Sequence, residues 1–322
     1  MKILVTGGAG LIGSHLCNAL LDQGHDVVSV DDLSKGKVEH HRYAQDFKNF
    51  SFVKADVCAD EFLNHFKEEF DVVAHLAAAK IPRYGGRLDT LWVNGVGSIN
   101  ALKLAARCKA KAVMASTSDV YGRNEKAPLR EDDEMIFPGP EVARWSYAVS
   151  KYHEEHLAFG FQEKHNIPVV CMRFFATYGP HQALSWTGGP TPVFIEKAIK
   201  GEPVTIHGDG SQRRCFCYVT DTVDGIVRCI ENEKANGEIF NIGNPTDLTI
   251  LEFANLVYNV VRPEQKVPIE WVPYESFGKY EDIKRRQPDI SKIKNMLGYS
   301  PKIALKEGIA KTLDWQRQFY KS

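Results

Sequence analysis

The sequence predicts a doubly wound α/β fold: a parallel sheet with helices on both faces and a smaller, discontinuous C-terminal lobe. Three observations predict it. Short β-branched apolar runs alternate with helix-period stretches through the first 245 residues. A glycine cluster separates the first such run from the first helical stretch. The chain has 322 residues, 43% hydrophobic and 25% charged, enough for a large sheet unit with a lobe attached.

Taken in order, Lys2 to Thr6 reads as a strand and Ile12, Leu16, Ala19 and Leu20 as one face of a helix. Asp26 to Val30 is the second strand; further apolar runs follow at Phe52–Val53, Val72–Leu76, Ala112–Ala115, Val169–Phe174 and Ile239–Ile242. After Phe175 the texture changes. Gly, Pro and Trp gather between Tyr178 and Pro192, then a helix is expected over Val193 to Lys200, and an amphipathic helix closes the chain over Leu305 to Phe319. Residues 1–175, together with about 218–245, are therefore assigned to the sheet domain, and 176–217 with 246–322 to the second domain.

Forty basic residues stand against forty-one acidic ones, so no excess positive field is available to gather a phosphate backbone, and nucleic acid is not an expected partner. No apolar run reaches the roughly 18 residues of a membrane helix, and the N-terminus lacks a signal-peptide pattern, so no membrane partner and a cytoplasmic location are expected. Seven cysteines without zinc spacing read as buried hydrophobes, with no metal site expected. Cys215 and Cys217 are expected on one strand, facing the same way.

Thr6-Gly7-Gly8-Ala9-Gly10-Leu11-Ile12-Gly13 lies between strand and helix, the setting of a dinucleotide fingerprint. Gly7, Gly10 and Gly13 avoid side chains where pyrophosphate and helix come close, while Leu11 and Ile12 open the helix whose free N–H groups face the anion. Asp31 and Asp32 close the second strand, where an acid bonds an adenosine ribose and repels a 2′-phosphate, favouring NAD over NADP; Lys35 and Lys37 soften that preference. Asp56 and Val57 either edge the adenine or form a strand-end turn.

Tyr147 and Lys151 stand four apart in Tyr-Ala-Val-Ser-Lys, one turn apart on one helix face. An ammonium beside a phenol favours the phenolate, which can then take a proton from a sugar hydroxyl while hydride leaves for NAD. Ser116 to Gly122 (Ser-Thr-Ser-Asp-Val-Tyr-Gly) follows a strand at the sheet's ligand-binding edge, where its hydroxyls either meet a ligand or cap the next turn.

Together with Arg173-Phe174-Phe175-Ala176-Thr177-Tyr178-Gly179-Pro180, these motifs resemble the extended short-chain dehydrogenase/reductases, and among them the NAD-dependent nucleotide-sugar epimerases, dehydratases and decarboxylases. The likeness runs on through Gly208-Asp209-Gly210-Ser211-Gln212 to Leu297-Gly298-Tyr299. It implies a Rossmann sheet and a catalytic triad of Thr117, Tyr147 and Lys151. It also implies a cofactor loop at Leu76, Ala77, Ala78 and Lys80 with Asn94 behind it, and a nucleotide-sugar site drawing on Lys80, Thr117, Ser118, Asp119, Tyr147, Phe175, Ala176, Arg214 and Arg286. A homodimer through helices near Val93–Cys108 and Tyr147–Lys164 is a further implication. One departure stands out: the family's usual asparagine is replaced by Ala176, which removes a donor and an acceptor.

Dehydratases of the family carry Asp-Glu after the threonine, and Ser118-Asp119 lacks that pair. UDP-glucuronate decarboxylases carry Ser-Glu there with an arginine near the sugar carboxylate; Ser118, Asp119 and Arg286 resemble this with an acid one methylene shorter. The sequence therefore favours a UDP-sugar 4-epimerase, of a hexose or a uronic acid, over a UDP-glucuronate decarboxylase. A non-catalytic NAD-binding protein is disfavoured by the intact triad.

Overall fold

A computed structural model describes residues 1–80, 86–277 and 281–320. Seven parallel strands form the main sheet: β1 (Lys2–Thr6), β2 (Asp26–Asp31), β3 (Phe50–Lys54), β4 (Val72–His75), β5 (Lys111–Thr117), β6 (Val169–Phe174) and, on the outer edge, β11 (Glu238–Ile242). Their spatial order is β11-β6-β5-β4-β1-β2-β3, so the winding reverses between β1 and β4 and opens a crevice there at the carboxyl ends.

Helices cover both faces, which is why the inner strands are apolar nearly throughout rather than alternating. On one face α1 (Leu11–Asp22) packs against α5 (Val219–Glu231); on the other α2 (Arg87–Cys108) packs against α3 (Trp145–His165). The core on the α2–α3 face includes Phe62, Phe66, Phe70, Leu102 and Leu104. The core on the α1 face does not stop at the sheet. It runs through Ile226, Phe240 and Ile242 into Phe194, Phe253, Val257 and Leu313 of the lobe, so one continuous apolar mass holds both parts.

The lobe contains α4 (Pro190–Lys200), α6 (Ile250–Val261) and α8 (Leu305–Gln316), with a parallel pair of β8 (Val204–His207) and β13 (Ile269–Val272). A three-stranded sheet of β12 (Asp247–Thr249), β9 (Arg213–Cys215) and β14 (Arg285–Arg286) faces the site. Helix α6 begins with a reciprocal capping box between Thr249 and Glu252. The expected closing helix ends at Gln316 and tightens to a 3-10 turn over Arg317–Phe319.

Cys215 and Cys217 correct one expectation. The chain breaks between them: Cys215 ends β9, while Cys217 opens β10 (Cys217–Tyr218), which pairs with β7 (Thr177–Tyr178). Phe216, stacked on Phe253 at 3.8 Å, accounts for the break by turning into the lobe core. Both cysteines are buried free thiols. Among the described residues, no helix is long and apolar enough to cross a membrane.

Candidate active site

The crevice is pinned by Thr6 at the end of β1. Its hydroxyl bonds His75 Nδ1 at 2.8 Å and accepts the Leu76 and Ala77 amides at 3.2 and 3.3 Å, locking the ends of β1 and β4 together. Gly7 follows with φ +68°, and a Cβ there would stand 2.7 Å from the Ala77 nitrogen. Only glycine fits this passage. A Cβ on Gly13 would run into the Gly7 carbonyl, so α1 can seat against the loop only without one. Gly10 caps α1 with no side-chain bond and no acid follows in the first turn, leaving the leading amides of Leu11 and Ile12 for an anion. This cradle fits the pyrophosphate of NAD.

Asp31 is more occupied than the sequence suggests. Its Oδ2 accepts the Ala9 amide at 3.0 Å and its Oδ1 the Leu33 amide at 2.9 Å, so it also ties the glycine loop to β2. Burial, more than any neighbour, pushes its carboxyl above the usual range. Asp32 is exposed and accepts the Ser34 amide. Asp56 caps the Cys58 amide at 2.8 Å, a strand-end turn, and buried Val57 receives the Asn100 side chain on its carbonyl.

Opposite, Asn94 of α2 bonds both the amide and the carbonyl of Ala79, at 2.8 and 3.0 Å, and donates to Ser150 Oγ at 2.8 Å. One side chain thus ties the Leu76–Lys80 loop, with Ala78 and Lys80 exposed, to α3, the helix that carries Tyr147 and Lys151.

Thr117 ends β5, caps the turn Ser118–Tyr121 through the Asp119 amide at 3.2 Å, and hydrogen-bonds the Tyr147 phenol. Thr117 and Tyr147 are thus in contact, and Lys151 lies one helical turn beyond Tyr147 on α3. The charge balance differs from the expectation, however. Lys151 Nζ lies 2.7 Å from Glu154 Oε2, both side chains buried, so its ammonium is compensated before it can act on Tyr147. Burial, then the Asp119 carboxylate and Glu154, hold the Tyr147 phenol above its ordinary pKa; the Thr117 bond opposes them. Glu154 was missed, although a carboxylate three residues after a helical lysine is a legible signal.

Beyond Tyr147 lies a group of arginines. Asp119 stands 3.7 Å from Arg144 and 4.0 Å from Arg286. Arg144 was also missed; it sits one turn before Tyr147 at the head of α3. Arg286, on β14, is 4% exposed and donates to the Gly122 carbonyl at 2.6 Å, while its Nε and Nη1 have no hydrogen-bond partner among the described residues. Burial pushes its guanidinium down to about 10, with Asp119 opposing and Arg144 and Arg214 reinforcing. Arg214 lies beside it on β9, bound to Asp282 at 2.8 Å and to two carbonyls. Ser118 is buried within the turn. Phe175 requires a correction: it is 2% exposed and lies against Tyr121 in the core, so it supports the floor instead of offering a side chain to a ligand. Ala176 is exposed and presents only a methyl.

The profile of the NAD dependent epimerase/dehydratase family matches residues 3–243, most of the chain. The protein belongs to this family. Among its relatives, the UDP-N-acetyl-alpha-D-glucosaminuronate decarboxylase of Bacillus cytotoxicus is 35% identical over 98% of both chains. UDP-glucuronic acid decarboxylase 4 of Arabidopsis thaliana is 35% identical, covering 96% of this chain and 67% of that one. Among solved structures, 4-epimerases of UDP-sugars superpose closely on this chain. The UDP-glucose 4-epimerase of Thermotoga maritima superposes with a TM-score of 0.88 at 29% identity over the whole of both chains. The UDP-glucuronic acid 4-epimerase of Bacillus cereus, solved with UDP-glucuronic acid and NAD, gives 0.87 at 29%, covering 99% of this chain and all of that one. This chain is thus an enzyme of the NAD-dependent epimerase/dehydratase family, within the extended short-chain dehydrogenase/reductases, on a Rossmann-like sheet.

Proposed function

We propose that this family member decarboxylates a UDP-linked uronic acid. Arg286 carries the reading: a buried guanidinium whose Nε and Nη1 have no hydrogen-bond partner among the described residues, with Asp119 4.0 Å away and the proposed triad beside it. A buried cation without full partners is costly until an anion arrives. A sugar carboxylate is such an anion, and the guanidinium fork suits it. The uronate decarboxylases at 35% identity support the same choice.

In this reading Thr117 and Tyr147 hold the sugar C4 hydroxyl between them, and Tyr147 accepts its proton. The Gly7–Gly13 cradle would hold NAD, which would supply the hydride acceptor and donor for C4. With C4 oxidised, the C5 carboxylate is that of a β-keto acid. The bond from C5 to the carboxyl carbon breaks, carbon dioxide leaves, and the electron pair passes to the C4 oxygen, where the Tyr147 proton and the Thr117 hydroxyl stabilise it. Arg286 orients the carboxylate up to that point. A proton must then reach C5, and Asp119, which stands 3.7 Å from Arg144 and 4.0 Å from Arg286 and acts electrostatically on the Tyr147 phenol, is our candidate carrier.

Epimerisation at C4 is the second reading and the one the sequence alone puts first. The likeness to solved UDP-sugar 4-epimerases supports it, as does Ala176, whose exposed methyl leaves room for a keto-sugar to turn. A homodimer fits either reading: Leu88, Leu91 and Trp92 of α2 and Val149 of α3 are exposed apolar groups on the two packed helices.

Incubation with UDP-glucuronate, its 2-acetamido counterpart, UDP-glucose and UDP-N-acetylglucosamine, followed by mass spectrometry and proton NMR, tests the proposal. Loss of carbon dioxide from a uronate is expected. An unchanged mass with an inverted C4 coupling pattern would establish the epimerase instead.

A further inference from the structure

We propose that Glu154 is a positioning residue that sets the pH at which Tyr147 works, through its hold on Lys151. The inference rests on the reading of Tyr147 as the base.

Glu154 is buried; burial pushes its carboxyl above the ordinary range, and the charge and hydrogen bond of Lys151, with the Ser98 hydroxyl, oppose that and favour the carboxylate. Its Oε2 receives Lys151 Nζ at 2.7 Å from its own helix and the Ser98 hydroxyl at 2.8 Å from α2, while Oε1 has no partner among the described residues. Ser98 Oγ also lies 2.5 Å from the Asn94 carbonyl and 3.4 Å from His75 Nε2. Thr6 Oγ1 already accepts two amides, so its proton goes to His75 Nδ1, which leaves the imidazole proton on Nε2, facing Ser98. The Ser98 proton is then left for oxygens, Glu154 among them. Donors converge on a carboxylate that pairs with a buried ammonium, as a buried lysine requires. Lys151 has three donors, and holding Glu154 uses one, leaving two for a cofactor ribose.

The consequence is electrostatic. A carboxylate at Lys151 offsets the field that would otherwise favour the Tyr147 phenolate. The other titratable groups packed around the pair among the described residues do not take over this role. His75 is pushed down to about 3 by burial and by Lys151, and so is neutral. Burial raises the Cys171 thiol well above its ordinary value. Glu155 is paired with Arg173 at 2.8 Å. Asp119 acts on Tyr147 in the same sense as Glu154. Removing the Glu154 charge therefore leaves Lys151 uncompensated and makes Tyr147 more acidic.

The test is a pH titration of tyrosinate absorbance in the NAD-loaded protein, wild type and Glu154→Gln, each referenced to its Tyr147→Phe counterpart, with the pH profile of kcat/KM alongside. Tyr147 is expected to ionise about one pH unit lower in Glu154→Gln, carrying the acid limb of the profile with it, while Glu154→Asp stays near wild type. An unmoved midpoint in folded, NAD-retaining Glu154→Gln overturns the proposal, as does a uniform loss of rate at every pH with no shift. If the glutamine variant does not fold, Glu154→Met gives the same reading. The absorbance does not depend on turnover, so a failure of the base assignment shows separately, as activity surviving in Tyr147→Phe.

Discussion

Asp119 and Arg286 meet at 4.0 Å, one from the turn after the fifth strand of the sheet and the other from the last strand of the lobe. Their approach joins the two parts of the chain beside Thr117 and Tyr147, the residues proposed for catalysis.

Replacing Arg286 by lysine keeps a charge but loses the planar fork. Under the uronate reading, kcat/KM for the uronate falls by about 100-fold, while NAD content and any turnover of a neutral UDP-hexose change little. Steady-state kinetics on paired acidic and neutral substrates check this; equal losses on both would remove the carboxylate from the argument.

Tyr147→Phe deletes the hydroxyl that takes the proton and leaves the ring in place. Turnover is expected to fall by about 1,000-fold or more, with bound NAD retained in the absorbance spectrum of the purified protein. Near-normal activity would rule Tyr147 out as the base.

Asn94→Ala strands the Ala79 amide and carbonyl and one bond to Ser150. Two backbone groups left without partners cost about 2–4 kcal/mol together, so the denaturation midpoint drops and NAD is lost more readily. Denaturant melts with and without added NAD measure both effects, and an unchanged midpoint would mean the loop is held some other way.

His75 makes stability fall with acid. Its folded-state pKa, about 3, lies below the ordinary 6.5, so the unfolded chain takes up a proton that the folded protein refuses. Above about pH 6.5 both states are neutral and His75 adds no pH dependence. As pH falls from about 6.5 towards 3, stability declines by up to about 1.4 kcal/mol per pH unit from this group. His41, down to about 4, and His181, down to about 3, act in the same direction. Thermal melts between pH 7.5 and 5 should show the decline, with a shallower slope for His75→Gln; equal slopes would exclude His75 as a source.

The sheet and the cofactor loop were legible because they are local. A buried parallel strand must be apolar along its length, and a loop on which a Cβ would stand 2.7 Å from the Ala77 nitrogen must be glycine at Gly7, so both leave their mark in consecutive residues. The triad was legible for a similar reason: Tyr147 and Lys151 share one helix turn, and the run after β5 supplies Thr117.

What the sequence could not determine is the company those residues keep. Arg286 reaches Asp119 only when β14 of the lobe folds back beside β9, Arg144 only when the head of α3 packs on the turn after β5, and Glu154 faces Ser98 only when α2 packs on α3. Phe175, read as a ligand contact, is core because Tyr121 and Gly243 close over it. The sequence by itself determined the fold class and the glycine loop that fits the cofactor, and it singled out Thr117, Tyr147 and Lys151 as the groups proposed for catalysis. The tertiary structure decided the charge balance around them, because that depends on which buried cation faces which carboxylate at a few ångströms, between segments that no sequence spacing relates.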